Sequence, residues 1–440
     1  MLAVNANMRN IFKRLRYSAL SPRTVGSAVA FAIAVYGSTA AFSQIRTPND
    51  EKLSIKTRVN EAYDPNGIRL GSFVLSPSIT NTLRYTDNVY ATDINKVHDF
   101  IYEVKPGVNI KSDFVRHEIS AGFSAQRGLY RDITDENYTD YSAKLAGRLD
   151  ITGDTSLPLS ASYDRSHYRR GSLDDTDSTK PTVFDLYQAS AGLVHSGQRL
   201  AMKAIANFKR FIFENDRTNT RFIDNRDRDR DEYSLYSSIG MPEEGYFAPF
   251  VYSNLKKIEY DLDFDQNGLN RDSDEYELGV GSIINFSDIT KAAFNIGYLN
   301  RAFDDNNLDD INDLTYGVNF SWEPSSLMMI VLEGNRTTRE TFDTLSSASI
   351  ATDLRLSVDY ELFPNVFLNP NMGFVEQDYE GIDKVIIQYN AGLTGTYKIN
   401  QNFWLSMTYK YITQDEDGED IDGTDAYDSN SYGLSLKMQF

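Results

Sequence analysis

A reaction site needs nucleophiles, bases or ligands within reach of one another, and this chain is sparing with them. It has no cysteine, which removes thiolate nucleophiles, thiolate metal sites and disulfides. Its four histidines are His98, His117, His167 and His195, and no two stand at a spacing that would make a ligand pair. His98 falls in a polar stretch and His167 near an expected strand end, both with serines and aspartates about them. A hydrolase would need one hydroxyl, the histidine and an orienting carboxylate in contact. Lone histidines in acidic stretches are usually just solvated, so the chain is read as non-enzymatic. The stretch "DFDQNG" sets Asp263, Asp265 and Asn267 at the alternate positions of a calcium loop, with Asp274 where a glutamate normally closes the site. The flanks read as strands, not helices, and the closing residue is wrong. Solvation of an acidic loop is the stronger reading there, and no cofactor is expected.

The largest chemically capable set is dispersed along the chain: Arg84, Lys105, Arg116, Glu118, Lys144, Arg148, Lys203, Lys256, Glu277, Glu333, Asp353, Arg355, Lys410 and Lys437. What unites them is alternation. Phe73, Leu75, Ile79, Leu83 and Tyr85 share one face of a two-residue period, as do Tyr102, Val104, Val108 and Ile110. Tyr276, Leu278, Val280, Ile284 and Phe286 do the same, and so do Ile350, Leu354, Leu356, Val358 and Tyr360. Side chains on a strand alternate between its two faces. One face is therefore apolar, and the other carries the charges, amides and glycines. Segments of about ten such residues are the pattern of transmembrane barrel strands. On this reading the charged set lines the lumen.

A soluble sandwich could alternate in the same way, but the connections sort by length. "SDF", "TGDTS", "SGQ", "EPSS" and "FPN" are short, whereas "TDNVYATDINKVHD", "ENDRTNTRFIDNRDRDRDE" and "TQDEDGEDIDGTDAYD" are long and acidic. Short turns at one end and long loops at the other are expected of an up-and-down antiparallel outer-membrane β-barrel, short end periplasmic. Counting segments predicts about 18 strands, an even number. A weak repeat, "RDRDEY" at 228–233 and "RDSDEY" at 271–276, ends each time on a tyrosine at a strand start. Tyr85, Tyr102, Tyr141, Tyr163, Tyr187, Tyr298 and Tyr389 fall near other such ends, where an aromatic girdle would meet lipid headgroups.

Residues 1–43 read as an export signal: Arg9, Lys13, Arg14, Arg16 and Arg23, then the apolar run "AVAFAIAV", then small residues before Gln44. The run is short for a bilayer-spanning helix. Residues 44–70 read as a periplasmic lead-in, and 71–440 as the barrel. The whole chain carries a formal charge of −19, and the signal takes basic residues away with it. So acidic a chain does not suit nucleic-acid binding, which needs a basic footprint.

The segments "YDPNGIRLGSFVLSPSITNTLRYTDNVYAT", "HDFIYEVKPGVNIKSDFVRHEISAGF", "RDSDEYELGVG" and "DYEGID" resemble the "putative β-barrel porin 2" family of Gram-negative outer-membrane proteins, over about residue 63 to Phe440. The resemblance implies an outer-membrane location and association with exopolysaccharide secretion, with some members thought to serve as the conduit. It brings no catalytic motif. Implied partners are outer-membrane lipid and lipopolysaccharide, the outer-membrane assembly machinery and periplasmic polysaccharide-export components. The expected function is a porin-like conduit for hydrophilic solute. The alternatives are a surface-binding or adhesive barrel acting through its acidic loops and, last, a barrel enzyme.

The chain ends "SYGLSLKMQF", apolar at Tyr432, Leu434, Leu436, Met438 and Phe440. This reads as a closing strand with a terminal aromatic assembly signal. Deleting Phe440, or Phe440→Asp, is expected to impair barrel assembly more than synthesis or export. The check is the amount of heat-modifiable barrel in the membrane fraction.

Overall fold

The computed structural model describes residues 63–172, 178–218, 221–341, 346–418 and 426–440, so the signal segment and residues 44–62 of the lead-in lie outside it. Eighteen long antiparallel strands form one closed sheet. They are β1 (Phe73–Thr86), β2 (Asp99–Ser112), β3 (Glu118–Tyr130), β4 (Tyr138–Asp150), β5 (Thr155–His167) and β6 (Val183–Ser196). Next come β7 (Ala201–Phe213), β8 (Arg230–Gly240), β9 (Phe247–Tyr260), β10 (Ser273–Ser287), β11 (Thr290–Phe303) and β12 (Ile311–Ser325). The last six are β13 (Met328–Arg339), β14 (Ser349–Phe363), β15 (Val366–Tyr379), β16 (Lys384–Lys398), β17 (Phe403–Gly418) and β18 (Tyr427–Gln439). Each pairs with its neighbour in sequence. β18 returns to β1, with Tyr85 opposite Tyr432 and Ser78 opposite Gln439. No edge of unpaired N–H and C=O groups is left, as a sheet in hydrocarbon requires.

The pleat assigns the two faces. Leu83, Tyr102, Leu145, Leu193, Leu255, Leu278, Ile296, Leu354, Met407 and Leu434 all point outward and are more than a third exposed, a lipid-facing surface. Outward tyrosines gather toward the long-loop ends. Tyr163 and Tyr187 have ring centroids 5.0 Å apart, and so do Tyr409 and Tyr432. This is the girdle expected from the sequence.

The hexapeptide repeat has a physical job. Asp229 in "RDRDEY" accepts the backbone N–H of Phe213 at 2.7 Å, and Asp272 in "RDSDEY" accepts that of Tyr260, also at 2.7 Å. In both copies the aspartate caps the last residue of the preceding strand. The glutamates (Glu232, Glu275) then turn into the lumen and are buried, while the tyrosines (Tyr233, Tyr276) face out and are exposed.

Some inward glycines are sites of close packing. A Cβ on Gly279 would come 2.5 Å from the Tyr252 ring and 2.5 Å from the Ile296 carbonyl oxygen, and one on Gly297 would come 2.5 Å from Tyr252 Oη. The ring fills the space the two glycines leave. Its hydroxyl donates to Glu277 at 2.7 Å and accepts from Asn295 Nδ2 at 3.0 Å. Gly279→Val is therefore expected to expel Tyr252 and cost about 1–3 kcal/mol by overpacking. The check is a lowered temperature for loss of the compact form in a heat-modifiability assay.

Candidate functional site: the barrel lumen

Inward positions are those opposite the lipid face, and nearly all of the charged set predicted from sequence occupies them. Arg84 donates to Glu103 at 2.6 Å, and Glu103 also accepts Tyr138 Oη at 2.8 Å. Glu118 takes Lys111 at 3.3 Å and Arg148 at 4.0 Å, and Arg148 reaches Asp150 at 2.9 Å. Lys203 meets Glu243 at 3.2 Å, Asp353 meets Arg339 at 2.5 Å, and Glu277 also accepts Thr315 Oγ1 at 2.5 Å. Glu333 stands opposite Arg355 in the β13–β14 ladder. Lys437 lies 4.9 Å from the Trp404 ring centroid. Lys105, Lys144 and Arg355 face inward with exposed side chains.

Arg116 corrects the expectation. It lies in the short turn between β2 and β3, where its guanidinium binds the Asp150 and Ile151 carbonyls at 2.8–3.2 Å. It clasps two turns together because the strand ends before reaching it.

The calcium-like residues also have local partners. Asp265 accepts the N–H groups of Asn267 and Leu269 at 2.8 and 3.0 Å and Arg271 Nε at 2.9 Å. Burial pulls its carboxyl upward, but these donors more than offset that and hold it below the usual range. Asp263 stays in the loop, and Asp274 sits on the outer side of β10 opposite Lys257. Among the described residues no three His, Asp or Glu side chains are grouped to hold a metal. His167 Nδ1 is 2.8 Å from Asp140 and its ring lies tilted against Tyr138 with centroids 4.1 Å apart, whereas the His98 ring lies 6.0 Å from the Tyr85 ring, so the two histidines belong to separate surroundings.

The lumen is unevenly filled. Along β8–β12, inward Tyr236, Tyr252, Ile258, Asn295 and Leu299 are buried. What covers part of this wall is the end of the β13–β14 hairpin. The β12–β13 ladder stops at Tyr316 opposite Arg336, while β13 and β14 stay paired up to Arg339 and Ser349. Beyond that opening the hairpin leans onto the inner face of β9–β11. Thr338 donates to Glu275 at 2.5 Å, and Arg301 binds Glu340 through both terminal nitrogens at 2.7 and 2.9 Å. Tyr260 Oη donates to Glu340 at 2.7 Å. Ala348 and Ile350 pack with Leu299, Phe303, Leu308 and Ile311. Ile350, expected on the lipid face with Leu354 and Leu356, is thus an internal residue. Its pleat faces lipid lower down, but above the opening that same face meets the inner wall.

Burial would push the Glu340 carboxyl up, yet Arg301, with Lys256 and Arg230 beyond it, holds it well below its usual range. At the short-turn end, the lead-in enters the mouth: Asp64 takes Lys398 at 2.6 Å and Trp404 Nε1 donates to the Tyr63 carbonyl at 3.0 Å. Lys398 sits between the Phe367 and Trp404 rings, 4.8 and 4.3 Å from their centroids. Sequence reasoning missed Arg301, Glu340, Asp64 and Lys398 because their partners are remote in sequence and no local spacing marks them.

The sequence match to known families decides kinship. The profile of "Putative beta-barrel porin 2" matches residues 61–440. The chain belongs to this family. Among curated proteins none matches it. Similar solved structures include the outer membrane protein opdK from Pseudomonas aeruginosa, at 11% identity and TM-score 0.43, covering 83% of this chain and 99% of that one. OccAB2 from Acinetobacter baumannii is 11% identical at TM-score 0.44, covering 84% and 99%. A mutant of the ferric enterobactin receptor PfeA from Pseudomonas aeruginosa is 8% identical at TM-score 0.45, covering 83% and 80%. The family assignment rests on the sequence match, not on these distant likenesses. The protein is a porin-like outer-membrane barrel.

Glu340→Ala leaves Arg301 buried without its carboxylate, a loss of about 3–5 kcal/mol for a buried pair. The hairpin end is expected to come away, so that proteinase K added to whole cells cuts between Arg339 and Ser349 faster than in the wild type. Because the folded carboxyl is depressed, the latch is complete above the ordinary value of 4.5 and is lost only as pH falls well below it. Wild-type protection should accordingly persist at mildly acidic pH.

Proposed function

We propose that this barrel is a non-enzymatic conduit for hydrophilic solute across the outer membrane of a Gram-negative bacterium, and that its cargo is a secreted exopolysaccharide. The observation that carries the reading is the open part of the lumen, where the inward side chains of Lys105, Asn109, Lys144, Ser160 and Arg355 are exposed and polar. A closed barrel of this strand number encloses an aqueous channel unless something fills it. Among the described residues the hairpin and the lead-in each occupy one sector, and Lys105, Asn109, Lys144 and Ser160 on the wall along β2–β5 stay exposed. Family kinship supports passage, and the resemblance noted from the sequence supports the polysaccharide. Lipopolysaccharide around the girdle, the assembly machinery and periplasmic export components are the partners that fit.

Purified protein in planar bilayers is expected to conduct ions. Absence of conductance, in the wild type and after shortening the long loops, would overturn the conduit. Deleting the gene should abolish surface polysaccharide while leaving other outer-membrane proteins at normal levels. Unchanged surface polysaccharide would remove that cargo.

A further inference from the structure

The chain is strongly acidic, yet along one arc of the inner wall the charges left free among the described residues are positive. On the arc from β17 through β18 to β4, the inward carboxylates are engaged. Glu103 holds Arg84 and the Tyr138 hydroxyl, Glu118 holds Lys111 and Arg148, and Asp150 holds Arg148 and the His117 N–H. Asp140 is taken by His167. Lys105 and Lys144 project into open lumen with no ion pair to any described carboxylate. Lys410 on β17 and Arg84 on β1 flank β18, whose inward side chains between them are only Ser431 and Gly433.

Arg169 is placed by its neighbours in the loop after β5. Arg170 binds Glu136 with Nη2 at 2.7 Å and Nε at 3.1 Å, both side chains nearly buried, and Tyr427 Oη donates to the Gly171 carbonyl at 3.2 Å. This loop thus reaches across to β18 and brings the exposed Arg169 to that mouth of the lumen, where the described carboxylates Glu103 and Glu136 are already engaged. On the opposite wall three cations have carboxylate neighbours: Arg355 faces Glu333, Arg339 meets Asp353 and Arg301 meets Glu340. The acidic surplus sits instead in the long loops.

From this asymmetry we propose that the passage selects anionic solutes, by a strip of exposed cations at Lys105, Lys144 and Arg169 that meet no carboxylate among the described residues. The proposal rests on the conduit reading and adds the charge class of the cargo. A channel lined by one sign of charge concentrates the opposite ion, whatever the net charge of the chain. An exopolysaccharide passing here would carry carboxylate or other acidic groups, whose repeated charges would step along the strip.

The test is reversal potential in planar bilayers under a KCl gradient, using the full mature chain. The wild type should prefer chloride over potassium about threefold. The Lys105→Gln/Lys144→Gln/Arg169→Gln variant should fall toward no preference. Lys257→Gln, on the outer face, should leave the ratio unchanged. If the triple variant does not assemble, Lys144→Gln alone, at an exposed position, must shift the ratio in the same direction. Polygalacturonate should reduce the wild-type current more than dextran of equal size, and the difference should shrink in the variant. Current that prefers potassium, or a preference untouched by these substitutions, overturns anion selection and leaves the conduit standing. No current through any preparation overturns the conduit and the proposal with it.

Discussion

Everything in this molecule depends on pairing the backbone inside hydrocarbon. A strand in a bilayer has no water to satisfy its N–H and C=O groups, so the ladder between β1 and β18 is the condition for the other seventeen seams to persist. That requirement explains the end of the chain. Residues 431–439 are held along Ser78–Thr86, and Phe440 still donates its N–H to the Pro77 carbonyl at 3.2 Å. A terminus that would fray in a soluble domain is here part of the wall.

Closure then divides the side chains. The outward face needs apolar bulk across the hydrocarbon layer and receives it there, with tyrosine rings where the wall meets headgroups and charged pairs such as Arg165–Asp185 toward the long-loop ends. The inward face has to cope with charges in a confined space, and it does so unequally. One side is packed, using glycines to admit Tyr252 and a folded-in hairpin to cover Leu299 and Ile311. The other stays open and polar. The buried Arg301–Glu340 pair matters less for net stability than for position, since a buried ion pair roughly breaks even against desolvation while an unmatched partner is costly. It locates the hairpin end at one place on the inner wall.

Much of this was legible along the chain. The strand number, the sorting of short turns from long loops, the lipid-facing alternation, the tyrosine ring and the closing strand all follow from period-two patterning and turn chemistry, which are local. Inward placement of Lys105, Lys144, Lys203, Glu277 and Asp353 follows from the same parity. Local patterning failed at two kinds of position. Arg116 continued the alternation past the point where the strand ended, and Ile350 kept the lipid-face parity on a hairpin that had left the wall. Parity names a face of the pleat, and it cannot say what that face meets once the sheet bends.

The sequence by itself determined a closed antiparallel barrel with a greasy outside and a polar inside, because strand periodicity and hairpin order depend only on neighbouring residues. The tertiary structure alone decided which lumen charges are neutralised and which are free. Arg301 finds Glu340, Lys398 finds Asp64, and Tyr427 finds the Gly171 carbonyl, across separations of 39, 334 and 256 residues. Such pairings depend on how loops fold back over the mouth, which no local spacing encodes. They decide which charges of an acidic chain are left for the lumen.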